Sequence, residues 1–65
     1  MSIAKVIEVI AEGESIEKAV ENGVNEASRS VRNIKHVYVK DIQALVEGTS
    51  VVKYRVNAKV TFVVE

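Results

Sequence analysis

Residues 51–64 alternate between two kinds of side chain, and this pattern constrains the fold more than any other feature of the sequence. Seven consecutive alternations fit the two-residue period of a β-strand and not the 3.6-residue period of a helix. One face comprises Val52, Tyr54, Val56, Ala58, Val60, Phe62 and Val64, and the other comprises Val51, Lys53, Arg55, Asn57, Lys59, Thr61 and Val63. The chain therefore ends in a long strand with one face suited to a core.

The first half of the chain predicts a strand followed by a helix. Residues 3–10 are mostly β-branched or apolar, which is typical of a strand, and residues 11–14 predict a turn. Ser15 is a suitable N-cap. Apolar residues then recur at steps of three and four up to Val31, which predicts an amphipathic helix of about four turns that ends near Arg29 and Arg32. Gly23 within this helix indicates close packing against the layer beneath it.

From Ile34 the period falls to two, and residues 47–50 predict a turn before the last strand. The element order is therefore β-α-β-β in a single α+β domain over residues 1–65. One helix is expected to lie across one face of a three-stranded antiparallel sheet. The other face of that sheet is predicted to carry His36, Tyr38, Lys53, Arg55 and Lys59.

The size of the chain favours assembly of several copies. A domain of this size buries only about 60% of the surface that its unfolded chain exposes, and such chains usually gain stability from disulfides, a metal cage or partner subunits. The sequence has no cysteine and one histidine, which removes the first two routes. Oligomerisation is the remaining route.

The formal net charge is zero, but it divides into two halves of opposite sign. Residues 1–28 carry six glutamates and two lysines, a net charge of −4, whereas residues 29–65 carry seven basic and three acidic residues, a net charge of +4. The halves are expected to pair electrostatically within or between subunits. The overall balance gives no reason to expect nucleic acid or an acidic membrane as a partner.

No apolar run reaches the 18 to 20 residues, roughly, that span a bilayer, and the N-terminus has no signal-peptide pattern. A cytoplasmic location is the expectation.

The residue pattern does not predict an enzyme. No nucleophile with a base and its orienting group is recognisable, and no glycine-rich phosphate loop is present. Glu12, Glu14 and Glu17 could bind a metal, although carboxylates at a helix start more often complement the helix dipole. The basic stripe of the last strand could bind phosphate, but a solvated or cavity-lining face is the favoured interpretation.

Three segments resemble the dodecins, and together they extend over nearly the whole chain. They are Lys5-Val6-Ile7-Glu8-Val9-Ile10, Ser15-Ile16-Glu17-Lys18-Ala19-Val20 and Tyr54-Arg55-Val56-Asn57-Ala58-Lys59-Val60-Thr61-Phe62. The resemblance implies a sheet wrapped partly around its helix and twelve subunits closed into a hollow shell. It also implies a protein that binds and stores flavin between subunits and turns over no substrate.

The resemblance also locates a ligand site, with two substitutions. His36 stands where flavin-binding dodecins have a tryptophan that stacks on the flavin ring, and Arg55 stands where they have a glutamine. Both changes are expected to weaken binding of riboflavin, FMN or FAD. The expected ligand residues are His36, Tyr38, Lys53 and Arg55, which together could favour another anionic cofactor. The alternative is a flavin-free structural shell, with calcium or another metal ion as a further option.

Overall fold

The computed structural model describes residues 2–65 and contains one helix and three strands. In chain order they are β1 (Ile3–Gly13), α1 (Ile16–Ala27), β2 (Ile34–Glu47) and β3 (Ser50–Val64). The strands form one sheet in the order β1-β3-β2, and both pairings are antiparallel. The predicted α+β fold, with β-α-β-β order and a three-stranded antiparallel sheet, is confirmed.

β1 is longer than its local sequence indicates. The predicted turn at residues 11–14 is wrong, because Ala11, Glu12 and Gly13 continue the strand and lie opposite Val56, Arg55 and Tyr54. The long central strand offers hydrogen-bonding partners for these residues, and this tertiary pairing overrides the turn preference of glycine. The chain turns instead at Glu14 and Ser15.

The helix is shorter than predicted. Ser15 caps its N-terminus, where the Lys18 amide donates to Ser15 Oγ at 3.0 Å, as the sequence indicates. The helix ends at Ala27, so the prediction that it continues to Val31 and ends near Arg29 and Arg32 is wrong. The chain tightens there into turns, in which the Ser30 and Val31 amides both donate to the Ala27 carbonyl.

The core lies between α1 and the sheet, and the helix contributes its smallest residues to it. Its buried positions are Ala19, Gly23 and Ala27, spaced four residues apart on one helix face. On the sheet side, Val56 and Val60 are fully buried, and Ala58 and Phe62 are nearly so. The predicted close approach at Gly23 is confirmed, because a Cβ there would lie 3.4 Å from side-chain atoms of Val9 and Ala11.

The β2–β3 hairpin makes the subunit elongated. Gly48, with φ of +64°, and Thr49 form its two-residue turn, within the predicted turn region. The subunit measures 52 × 19 × 13 Å along its principal axes. Its radius of gyration is 13.4 Å, whereas a compact domain of this length has a radius of gyration of about 11 Å. The accessible surface of 4801 Å² likewise exceeds the roughly 4,100 Å² of a compact monomer of this mass. Within residues 2–65, no helix is long and apolar enough to cross a membrane.

Two glycines at the contact between β1 and α1, Gly13 on the strand and Gly23 on the helix, provide a matched test of this packing. A Cβ on Gly13 would lie 2.5 Å from the Ala19 amide nitrogen and 2.8 Å from the Lys18 carbonyl carbon, and this backbone cannot move without displacing the helix. We expect Gly13→Ala to lower the free energy of unfolding by about 1–3 kcal/mol.

Gly23→Ala is the control, because the added methyl group meets side chains at 3.4 Å and helix propensity improves by about 1 kcal/mol. Its free energy of unfolding should stay within about 1 kcal/mol of the unsubstituted value. Denaturant unfolding at one fixed protein concentration measures both variants, and equal stability of the two would contradict this account of Gly13.

Candidate functional site

The sheet face opposite α1 is uncovered, and we call it the open face. Its members follow from the strand register, since directly opposed residues point to the same side of a sheet. They are Val6, Glu8, Ile10 and Glu12 from β1, His36, Tyr38, Asp41 and Gln43 from β2, and Lys53, Arg55, Asn57, Lys59 and Thr61 from β3. Ile10 is 68% exposed, Tyr38 63% and Val6 54%. This face therefore presents large apolar side chains to solvent between charged ones.

The four ligand residues expected from the sequence all lie on strands that form the open face, but in two separate groups. His36 and Tyr38 lie opposite Thr61 and Lys59, whereas Arg55 lies opposite Gln43. Lys59 and Arg55 are four residues apart on β3, about 13 Å along the strand. Within one subunit, His36 and Tyr38 are therefore apart from Lys53 and Arg55.

Glu12 joins Lys53 and Arg55 in a charged group that we call the Glu12 cluster. Arg55 Nε donates to Glu12 Oε2 at 2.8 Å, and Arg55 Nη2 donates to the same oxygen. Lys53 Nζ donates to Glu12 Oε1 at 3.3 Å. These hydrogen bonds, from Arg55 first and Lys53 second, hold the pKa of the Glu12 carboxyl below its usual value.

This role of Glu12 is not among the predictions from the sequence, which place the residue in a turn beside the helix dipole. The two-residue spacing of Val6, Glu8, Ile10 and Glu12 does indicate that Glu12 continues β1 and shares a sheet face with these residues. The expected pairing of the acidic and basic halves does occur within the subunit. Glu12 pairs with Arg55 and Lys53, and Glu8 pairs with Lys40 at 3.8 Å.

A shallow recess of about 360 Å³ lies next to the Glu12 cluster on the open face. It is lined by Ile10, Ile42, Asp41, Gln43, Arg55 and Asn57. Asn57 Oδ1 itself is buried and accepts no hydrogen bond from residues 2–65. The recess therefore contains one positive group, Arg55, and one carboxylate, Asp41, and of these two only Arg55 is among the ligand residues predicted from the sequence.

The helix-start carboxylates do not converge. Glu12 is bound by Arg55 and Lys53, and it lines a second recess together with Glu14 but not with Glu17. In the part of the chain that the structure describes, no three His, Cys, Asp or Glu side chains are grouped so that they could hold a metal ion. These residues do not fit a calcium site within one subunit.

The comparison with protein families decides the relationship suggested by the sequence, because the dodecin family model matches residues 3–65. The chain belongs to the dodecin family. Dodecins are small flavin-binding proteins and are not, in general, enzymes. Among curated proteins, no sequence matches this dodecin.

Solved dodecin structures share this fold along nearly their whole length. A mutant of the Thermus thermophilus dodecin superposes with a TM-score of 0.90 at 24% identity, covering 100% of this chain and 98% of that one. The Streptomyces coelicolor dodecin superposes with a TM-score of 0.88 at 26% identity, covering 98% of this chain and 93% of that one. The Streptomyces davaonensis dodecin superposes with a TM-score of 0.89 at 20% identity, covering 98% of this chain and 96% of that one.

The Glu12 cluster predicts an acid-dependent loss of stability. A carboxyl with a lowered pKa in the folded state stabilises the fold above its unfolded pKa, close to 4.5, and that contribution disappears as the pH falls through the folded pKa. We expect Glu12→Gln to be less stable than the unsubstituted protein at pH 7, with the difference shrinking below pH 4.5.

Thermal unfolding between pH 3 and pH 7 measures this difference. Glu8→Gln is the control, because Glu8 lies on the same strand and its single ion pair is longer, at 3.8 Å. A Glu12→Gln destabilisation that is the same at pH 3 and pH 7 would contradict the ionic role of Glu12.

Proposed function

We propose that this dodecin is a non-enzymatic homo-oligomer that binds and stores a small ligand, a flavin or another anionic cofactor, where subunits meet. The observation that supports this most directly is the open face. An antiparallel sheet that faces water on one side normally presents polar residues there, yet Ile10, Tyr38 and Val6 are each more than half exposed. Cover by other subunits or by a ligand would bury this apolar surface.

The shape of the subunit supports oligomerisation independently. Its accessible surface and radius of gyration both exceed those of a compact monomer of the same size, as described above. The hairpin end adds further exposed apolar residues, namely Ile42, Val46, Val51 and Val52. A closed assembly of twelve subunits, as the family resemblance implies, would cover such surfaces on every copy equally.

The separation of the two residue groups on one subunit supports a ligand site at a contact between subunits. Tyr38 offers a ring surface about 13 Å from Arg55 along the sheet, and His36 offers one about 20 Å away. In this proposal, a neighbouring copy places its own open face against the first, so that one ligand meets ring residues and Lys53 or Arg55 together. His36 supplies the stacking surface and Arg55 and Lys53 supply hydrogen-bond donors.

A flavin-free structural shell is the second candidate, and the Glu12 cluster favours it. Two nitrogens of Arg55 are already bound to Glu12, so this side chain is less available to a ligand than an uncommitted arginine. The imidazole of His36 also offers less stacking area than an indole.

Native mass spectrometry of the purified protein tests the assembly and its content together. Twelve subunits of 7.1 kDa give about 85 kDa, and bound flavin would add its own mass. A monomer at micromolar concentration would reject the proposed assembly. An intact shell that stays colourless and leaves added riboflavin and FMN fluorescence unquenched would favour the structural alternative.

Substitutions at position 36 test the stacking role. We expect His36→Trp to strengthen riboflavin binding by roughly 1–3 kcal/mol, because a larger ring restores the stacking area. His36→Ala should weaken binding, and Tyr38→Phe, which keeps a ring on the same face, should have a smaller effect. Fluorescence quenching measures all three, and equal affinity of the alanine and tryptophan variants would exclude stacking at this position.

A further inference from the structure

Glu12 occupies one of the two edges through which the Arg55 guanidinium could bind a phosphate group. A guanidinium binds phosphate or carboxylate through two adjacent N–H groups, and here Nε and Nη2 both donate to Glu12 Oε2. Lys53, the other basic residue at this end of the open face, donates to the second carboxylate oxygen. One carboxylate therefore engages both cations.

The backbone around Glu12 is fixed, which keeps this carboxylate in place. Asn22 Nδ2 on the helix donates to the Glu12 carbonyl oxygen at 2.8 Å. The next residue, Gly13, lies so close to the helix that a single added carbon would meet the Ala19 backbone at 2.5 Å. Glu12 itself lies directly opposite Arg55 in the register. The position of the Glu12–Arg55 ion pair is therefore set by the packing of β1 against both β3 and α1.

The neighbouring recess also disfavours phosphate oxygens. Asp41 contributes a carboxylate to its lining. A phosphate, with a charge of about −1.5 to −2 at neutral pH, would be repelled by Asp41 and would find Arg55 already paired with Glu12.

We propose that Glu12 is the specificity-determining residue of the open face, and that by binding Arg55 and Lys53 it selects ligands without phosphate over phosphate-bearing ones. This inference rests on the proposed function and narrows it, because it disfavours the phosphate-bearing members of the ligand class proposed there. Among flavins, it assigns the preference to a ring compound without phosphate. Removing the carboxylate while keeping the shape of the side chain should release Arg55 and Lys53 for a phosphate group.

The test compares riboflavin with FMN, which differ by one phosphate group, on four forms of the assembled protein: unsubstituted, Glu12→Gln, Glu8→Gln, and Glu12→Gln combined with Arg55→Gln and Lys53→Gln. For Glu12→Gln we expect the affinity for FMN to rise about five-fold or more, with the riboflavin affinity within about two-fold of the unsubstituted protein. The gain should decrease at high salt. Glu8→Gln is the matched control, because it removes the same charge from the same strand and face without touching Arg55.

The inference would be overturned if Glu12→Gln showed no selective gain in affinity for FMN, or if Glu8→Gln showed an equal gain. It would also be overturned if the gain in FMN affinity persisted when Arg55→Gln and Lys53→Gln are added to Glu12→Gln. If no form binds either flavin, flavin binding itself is wrong, and pyrophosphate titrated by calorimetry decides the role of Glu12. Tighter pyrophosphate binding by Glu12→Gln than by Glu8→Gln would support it, and equal binding would overturn it.

Discussion

The central strand β3 is the constraint on which the rest of the structure depends. β1 and β2 pair with it from opposite sides over most of its 15 residues, and its alternation assigns every second residue to the helix side. Val56, Ala58, Val60 and Phe62 then form the floor on which α1 packs. Because the same alternation sends Arg55, Asn57 and Lys59 to the other side, the core and the open face are two results of one pattern.

The fold was largely predictable because its strongest signals are local. The period of β3, the Ser15 cap and the glycine of the hairpin turn each act through neighbours in sequence, and the structure confirms them. Of the two errors, the one in β1 lies where tertiary contacts decide, and the one in α1 lies at a local turn. β1 continues past its predicted turn because β3 offers further partners, and α1 ends at Ala27 although the apolar spacing continues to Val31.

The candidate site was less predictable, because it depends on register between strands. The sequence placed Arg55 and Tyr38 on one face, but their separation requires knowing which residues of β2 oppose which residues of β3. The pairing of Glu12 with Arg55 joins residues 43 positions apart, and no pattern within either strand specifies it. The three irregularities in the β2–β3 register shift the phase of β2, so the recess formed by Asp41 and Gln43 cannot be found by counting alternations.

The register of β1 on β3 also has a consequence for the order of folding. The hairpin and the helix form between residues close in sequence, whereas the pair Ile3 and Val64 joins opposite ends of the described chain. Closing so long a loop costs more conformational entropy than closing the two-residue turn at Gly48 and Thr49. β1 is therefore expected to dock last, and until it does, Val56 and Val60 have no strand partner on that side. Since Glu12 reaches Arg55 only through β1, the charged surface of the protein is completed in the final step of folding.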